Sequence, residues 1–80
     1  MITIEVRLYA TLQKYLPNLR IGEPLGITLH DKARLENLFS ELKIPKEEIK
    51  IALVNGKWVE ENYLIEDGDR IGLFSPIGGG

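Results

Sequence analysis

Four apolar side chains at alternate positions, Ile2, Ile4, Val6 and Leu8, are separated by Thr3, Glu5, Arg7 and Tyr9. That alternation makes residues 2–9 a strand with one buried and one open face. Such a strand needs partners at its edges and a layer over its apolar side. One segment is suited to be that layer. Leu35, Leu38, Phe39 and Leu42 fall at the i, i+3, i+4, i+7 spacing of a single buried helical stripe. The spacing predicts a helix over 32–42, with Asp31 placed to cap it and Pro45 to close it. At the other end of the chain, Ile71 and Leu73 resume the two-residue period over 70–74. The first and last strands carry the strongest apolar alternation and are expected at the centre of the sheet.

The segments between follow from local chemistry. Ala10 to Leu16 switches to helical spacing, with Leu12, Tyr15 and Leu16 on one side, and Pro17-Asn18 ends it. Gly22 to Gly26, containing Pro24, reads as a turn leading into an extended piece at Ile27–Leu29. Ile51, Leu53 and Val54 run into Asn55-Gly56, a pair that tolerates the two positive φ angles of a type I′ turn, and Lys57 to Val59 returns. Asp67-Gly68-Asp69 makes a further tight turn. The order strand, helix, strand, helix and three strands gives an α+β architecture: one mixed, twisted sheet covered on one face by a helix.

Eighty residues make one domain, 1–80, whose segment 75–80 is expected to form a C-terminal tail. With no cysteine, disulfides, zinc–thiolate sites and a thiol nucleophile are excluded. No run approaches the ~20 apolar residues of a membrane span, and Met1 leads straight into the strand pattern, so the cytoplasm is the expected compartment. Ten basic and twelve acidic residues are interspersed without a basic block, which argues against nucleic acid and anionic membrane as partners. Other proteins are the expected partners.

After the last strand, Ser75-Pro76-Ile77 leads into Gly78-Gly79-Gly80. A glycine run has no side chain to obstruct passage through a narrow channel, and it would present one reactive group, the α-carboxylate of Gly80. An ionised carboxylate is a poor electrophile, so its chemical use requires prior activation, for instance as an acyl-adenylate. The chain carries no nucleotide fingerprint to do this itself, because its glycine cluster precedes no helix. The plainer reading of such a run is a frayed end.

Arg7-Leu8-Tyr9-Ala10-Thr11-Leu12, the helix ending Leu42-Lys43-Ile44, Val54-Asn55-Gly56, Asp67-Gly68-Asp69 and Pro76-Ile77-Gly78-Gly79-Gly80 occur together in this order. The set resembles the ubiquitin-like sulfur carriers, a family that includes the small subunit of molybdopterin synthase, and the resemblance covers essentially the whole chain. It implies the β-grasp fold. The helix expected at Ala10 to Leu16 places the chain nearer the molybdopterin members than the thiamine-thiazole ones. The resemblance further implies that Gly80 is adenylated by an ATP-using, E1-like enzyme, converted to a thiocarboxylate by a sulfurtransferase, and inserted into the large subunit of molybdopterin synthase. There it would donate sulfur to the dithiolene of molybdopterin, with no cofactor bound by the carrier itself. Pro76, Ile77, Gly78 and Gly79 would form the threading tail, and six extended residues from Ser75 would reach about 20 Å. Members of the family usually carry paired prolines here, where this chain has Ser75-Pro76.

Strand phase places Tyr9 and Phe74 on the open face, and Trp58 just past the Asn55-Gly56 turn is too large to bury easily in so small a domain. These three are expected to form one exposed apolar patch near the tail, which by resemblance contacts the large subunit. The competing arrangement packs one or more of them under the Pro17–Gly26 loop. His30 has no second metal-ligating partner, so a terminal or capping role is expected. Glu60, Glu61, Glu66, Asp67 and Asp69 read as hydrophilic turns whose use is an electrostatic rim. Three further functions stand beside the main one: sulfur delivery to the thiamine thiazole, a ubiquitin-like modifier joined to lysines, and an interaction module with an inert tail.

Overall fold

The first strand, β1 (Ile2–Tyr9), occupies the bounds its alternation predicts, with Ile4, Val6 and Leu8 buried and the residues between them facing the other way. The structure is a computed structural model that describes residues 1–75. The expected tail residues Pro76, Ile77, Gly78 and Gly79, and Gly80 itself, lie outside the described residues. The remaining strands are β2 (Leu25–Leu29), β3 (Ile51–Val54), β4 (Lys57–Trp58) and β5 (Arg70–Phe74). They join β1 in one sheet of order β2-β1-β5-β3-β4. β1 and β5 run parallel at its centre, in register from Glu5↔Arg70 to Tyr9↔Phe74, and the other neighbours are antiparallel. Both strands expected to be central are central.

The α-helix α1 (Leu35–Leu42) lays Leu35, Leu38 and Phe39 on the apolar face of the sheet. They close a core with Ile4, Val6, Leu8, Ala52, Val54, Ile71 and Leu73. This is the β-grasp arrangement, α+β with one face covered. The helix begins three residues later than its apolar spacing suggests. Lys32 takes φ 65°, and Arg34 forms an isolated bridge with Leu64, so the chain is still extended at Arg34. The orphan N–H groups of Leu35 and Glu36 donate to the carbonyls of Tyr63 and Glu61, at 2.9 and 2.8 Å. Asp31 is not the cap; its carboxylate pairs with the Met1 ammonium at 2.7 Å. Arg34 occupies the cap position, and its N–H donates to Asn37 Oδ1 at 2.7 Å.

The helix is closed by Lys43 in the left-handed region, φ 59°, ahead of Pro45. Ile44 N–H donates to Phe39 and Lys43 N–H to Ser40, which satisfies carbonyls of the last turn. The predicted helix after β1 is a 3₁₀ helix, Ala10–Tyr15, anchored by the fully buried Leu12. Asn55 and Gly56 take φ 53° and 85°, as the reversal between β3 and β4 requires. β2 starts two residues before the predicted extended piece because Leu25 and Gly26 also find partners, Val6 and Glu5 on β1.

The acidic stretch does more than line turns. Asp69 is buried, and its carboxylate accepts hydrogen bonds from Asn55 Nδ2 (2.9 Å), Tyr63 Oη (3.2 Å) and Glu66 N–H (2.8 Å). Asp67 accepts from Thr3 N–H at 2.8 Å. The first fastening ties the β3–β4 turn and the 60–66 segment to the start of β5; the second holds the preceding turn against β1.

Removing the Asp69 carboxylate strands three donors, one of them the backbone N–H of Glu66. Asp69→Ala is expected to lower stability by about 3 kcal/mol, read from urea unfolding, because hydrogen bonds to charged acceptors are worth about 1.5–3 kcal/mol each and do not add fully. A loss within about 0.5 kcal/mol, the range of ordinary surface substitutions, would contradict this.

Two titrations contribute to the limits of the stable pH range. Hydrogen bonds from Lys14 and Tyr15 hold the Glu48 carboxyl below its ordinary value. The folded state therefore binds that proton less readily than the unfolded chain, and the contribution is lost as pH falls below the ordinary carboxylate range. Burial, reinforced by the Asp69 charge, raises Tyr63. The folded state keeps that proton longer, so stability falls as pH climbs past about 10, where an unfolded tyrosine ionises. Urea midpoints should form a plateau between about pH 5 and 9 and drop on both sides. Glu48→Gln should soften the acid limb and Tyr63→Phe the alkaline one.

Candidate docking face and tail root

Among the described residues, one face of the sheet carries no helix, and the outward residues of β1, β5 and β3 form its surface. At its C-terminal end Tyr9 and Phe74 are register partners whose rings stack, with centroids 4.5 Å apart and planes 5° from parallel. Both therefore leave the helix-covered face, as their phase predicts. Two residues before Phe74 on the same face, Gly72 lies beneath the rings: a Cβ there would sit 3.4 Å from Tyr9 Cε2 and 3.6 Å from Phe74 Cε1. Gly22, at φ 78°, approaches the other edge of Tyr9, where a Cβ would stand 3.3 Å from Cε1. Tyr9 is thus half-buried: one edge lies against the 17–26 loop, and the ring stacks on Phe74 at the open face. Each of the two arrangements weighed for it describes part of its surroundings.

The bare backbone of Gly72 leaves a hollow of about 330 Å³, with the aromatic pair, Leu53, Arg7, Arg70 and Asn55 on its walls. Arg7 pairs with Glu5 at 3.2 Å, and its Nε is buried without a hydrogen-bond partner among the described residues. The hollow is thus mixed: aromatic and aliphatic at one end, guanidinium and carboxylate at the other. Trp58 stands 76% exposed, opposite Leu53 on edge strand β4, and is not part of the wall. The three aromatics share a face, but only Tyr9 and Phe74 form the expected cluster.

Immediately beyond the stack, Ser75 is 7% exposed, and its Oγ accepts two hydrogen bonds from Thr11, from N–H at 3.2 Å and from Oγ1–H at 2.8 Å. On the other side of β5, the Phe74 carbonyl accepts from Lys50 N–H at 2.8 Å. The point where the chain leaves the sheet is held from both flanks. Sequence reasoning missed the Thr11–Ser75 contact. Its signal, two hydroxyls one and two positions beyond a register pair, becomes visible only once β1 and β5 are aligned. His30 caps nothing; its Nδ1 stands 3.0 Å from the carbonyl oxygen of Asp31. Among the described residues, no three His, Asp or Glu side chains converge as a metal site would require, and no helix is long and apolar enough to cross a membrane.

Residues 1–76 match the Mut7-C ubiquitin family. The chain belongs to that family. The match spans the β-grasp body and stops before the glycine run. Among solved structures, this Mut7-C ubiquitin chain is similar to a Pyrococcus furiosus protein provisionally described as molybdopterin converting factor subunit 1, with TM-score 0.73 and 23% identity over 95% of this chain and 99% of that one. It is similar to the small archaeal modifier protein 1 of Haloferax volcanii, with TM-score 0.74 and 16% identity over 95% and 99%. A third is the Haloferax volcanii HVO 2177 protein, with TM-score 0.74 and 21% identity over 99% and 87%. At these identities the likeness establishes the ubiquitin-like fold. No curated protein sequence matches the chain.

Gly22, in the turn before β2, and Gly26, within β2, carry unequal constraints. Gly22→Ala combines a left-handed backbone with a crowded Tyr9 edge and is expected to cost about 1–2 kcal/mol. Gly26→Ala meets nothing within 4 Å and should leave stability equal or higher by up to about 0.5–1 kcal/mol. Thermal unfolding of the pair checks this; equal losses would remove Gly22 from the account of how Tyr9 is held.

Proposed function

We propose that this chain is a sulfur carrier whose Gly80 carboxylate is activated and thiolated by other proteins. In the first step a carboxylate oxygen of Gly80 attacks the α-phosphorus of ATP in an E1-like enzyme, releasing pyrophosphate and leaving an acyl-adenylate. A persulfide sulfur supplied by a sulfurtransferase then displaces AMP, and reductive cleavage of the S–S bond by a thiol leaves the thiocarboxylate. The acceptor in this reading is a pterin precursor held by the large subunit of molybdopterin synthase, which would receive the sulfur for its dithiolene.

The observation that supports this reading best is the placement of the tail root. The glycine run follows, within three residues, a strand at the centre of the sheet whose end is fastened on both sides. A donor group can be delivered to a neighbour's pocket only from a fixed origin, and this body provides one. The Tyr9–Phe74 stack beside the root gives a partner an aromatic anchor, with Trp58 farther out on the same face. The hollow over Gly72 lies on that face as well. The likeness to a small archaeal modifier protein supports a second reading, in which the same acyl-adenylate is attacked by a lysine amine and the chain becomes a protein modifier.

Intact-mass spectrometry after incubation with ATP, the E1-like enzyme of the same genome and a persulfide source separates these readings. Full-length protein is expected to gain the mass of one oxygen replaced by sulfur, and a variant ending at Gly79 to gain nothing. Adducts on lysines of other proteins, with no sulfur gained, would favour the modifier. A chain that a competent enzyme leaves unaltered would refute both.

A further inference from the structure

The geometry points to the Thr11–Ser75 pair as a positioning clasp, which sets where the C-terminal segment leaves the sheet and so where its terminus arrives in the activating enzyme. This rests on the carrier reading above and adds to it the residues that aim the tail.

The 3₁₀ helix after β1 begins with an orphan N–H at Thr11, and its cap residue, Tyr9, supplies no side-chain acceptor. Ser75 supplies one from the neighbouring strand, 64 positions away. The partner groups are held independently. Ala10, at φ 55°, reverses the chain so that Thr11 faces β5, and the fully buried Leu12 keeps the 3₁₀ helix in place. Ser75 follows Phe74, whose ring is stacked on Tyr9 and whose carbonyl is bound by Lys50. An ordinary surface serine has freedom of rotation; this one is buried with its Oγ committed to two donors.

A ring at position 75 could fix the exit angle by restricting φ, as proline does. Here two hydrogen bonds do the fixing, and hydrogen bonds can open and reclose. While closed, they place the first tail residue at the junction of β5 and the 3₁₀ helix, so that only the residues beyond Ser75 have to be threaded. Once open, the terminus starts from a wider range of origins. Thr11 and Ser75 do not line the hollow over Gly72, so opening the clasp should leave that part of the docking face in place. The clasp should therefore govern the productive placement of the terminus more than the affinity of the body.

The test is steady-state kinetics of adenylation, followed by pyrophosphate release, with the E1-like enzyme of the same genome and the carrier as varied substrate. Ser75→Ala is expected to lower kcat about ten-fold, since small misplacements of a reacting group carry large rate penalties. KM should stay within about two-fold, and Ser75→Thr should restore the rate. Thr11→Val, on an exposed residue, removes the 2.8 Å bond and leaves the backbone N–H, so it should give a smaller loss of the same kind and keeps the test usable if Ser75→Ala is poorly folded. Amide exchange at Thr11 should accelerate in Ser75→Ala and reports the clasp directly. If that exchange accelerates while kcat is unchanged, Ser75 is a helix cap and nothing more, and the proposal falls. It falls equally if KM rises with kcat intact, because the pair then shapes the docking face. A wild-type chain that is never adenylated removes the carrier reading, and the clasp's role with it.

Discussion

The parallel pairing of β1 with β5 is the constraint on which the rest of this molecule depends. It joins residues about as far apart in the sequence as the chain allows, and it sets five inward side chains, Ile4, Val6, Leu8, Ile71 and Leu73, side by side under the helix. Each fully buried aliphatic side chain contributes about 1.5–3 kcal/mol, an upper figure because the unfolded chain already hides part of its surface. No other strand pair places so many wholly buried groups together. The cost is paid in chain entropy, since the pair closes a loop of nearly the whole domain. Partial folding is correspondingly unrewarding: without β5, β1 and β3 are left without their shared neighbour, and the helix covers half a sheet.

The same pairing decides what is on the other face. Because side chains alternate, a register that buries Leu8 and Leu73 must bring Tyr9 and Phe74 out together. Their stack is the outward expression of the core's register, and a one-residue slip would destroy both. Gly72 and Gly22 then leave room for the Tyr9 ring from two sides. Beyond the stack the register carries Ser75 up to Thr11. Core, aromatic anchor and tail root are successive consequences of one alignment.

That hierarchy explains what could be read before the structure. Strand 2–9 and the Asn55-Gly56 reversal each depend on a few neighbouring residues, and periodicity or turn chemistry gives them directly, while the exposure of Trp58 follows from its size in so small a domain. Where the helix begins was not legible. Its first N–H groups are satisfied by carbonyls of Glu61 and Tyr63, partners that only the tertiary fold supplies, so Asp31 looked like a cap while its carboxylate was engaged at Met1. Asp69 misled in the same way: in sequence it is one of two acids around a glycine turn, and in space it is the buried acceptor for Asn55, Tyr63 and Glu66. The Thr11–Ser75 contact needs the β1–β5 register to be seen at all. Trp58 failed to join the other aromatics because phase gives the face of a strand and says nothing of its rank in the sheet; order β2-β1-β5-β3-β4 puts it on the far edge.

A carrier has to reconcile two opposed requirements. Its reactive end must enter another protein's interior, which calls for a slim, unencumbered segment, yet it must arrive in one orientation, which calls for a rigid origin. Glycine alone meets the first and worsens the second, because each added glycine widens the distribution of directions. In the role proposed above, the fastened residues just short of the glycine run would supply that origin. Phe74 is bound through its carbonyl on one side and its ring on the other, and Ser75 is bound through its hydroxyl. The fastening thus reaches Ser75, the last of the described residues. In the carrier role proposed above, the body would aim the five residues after it, and the activation chemistry would be left to the proteins that receive them.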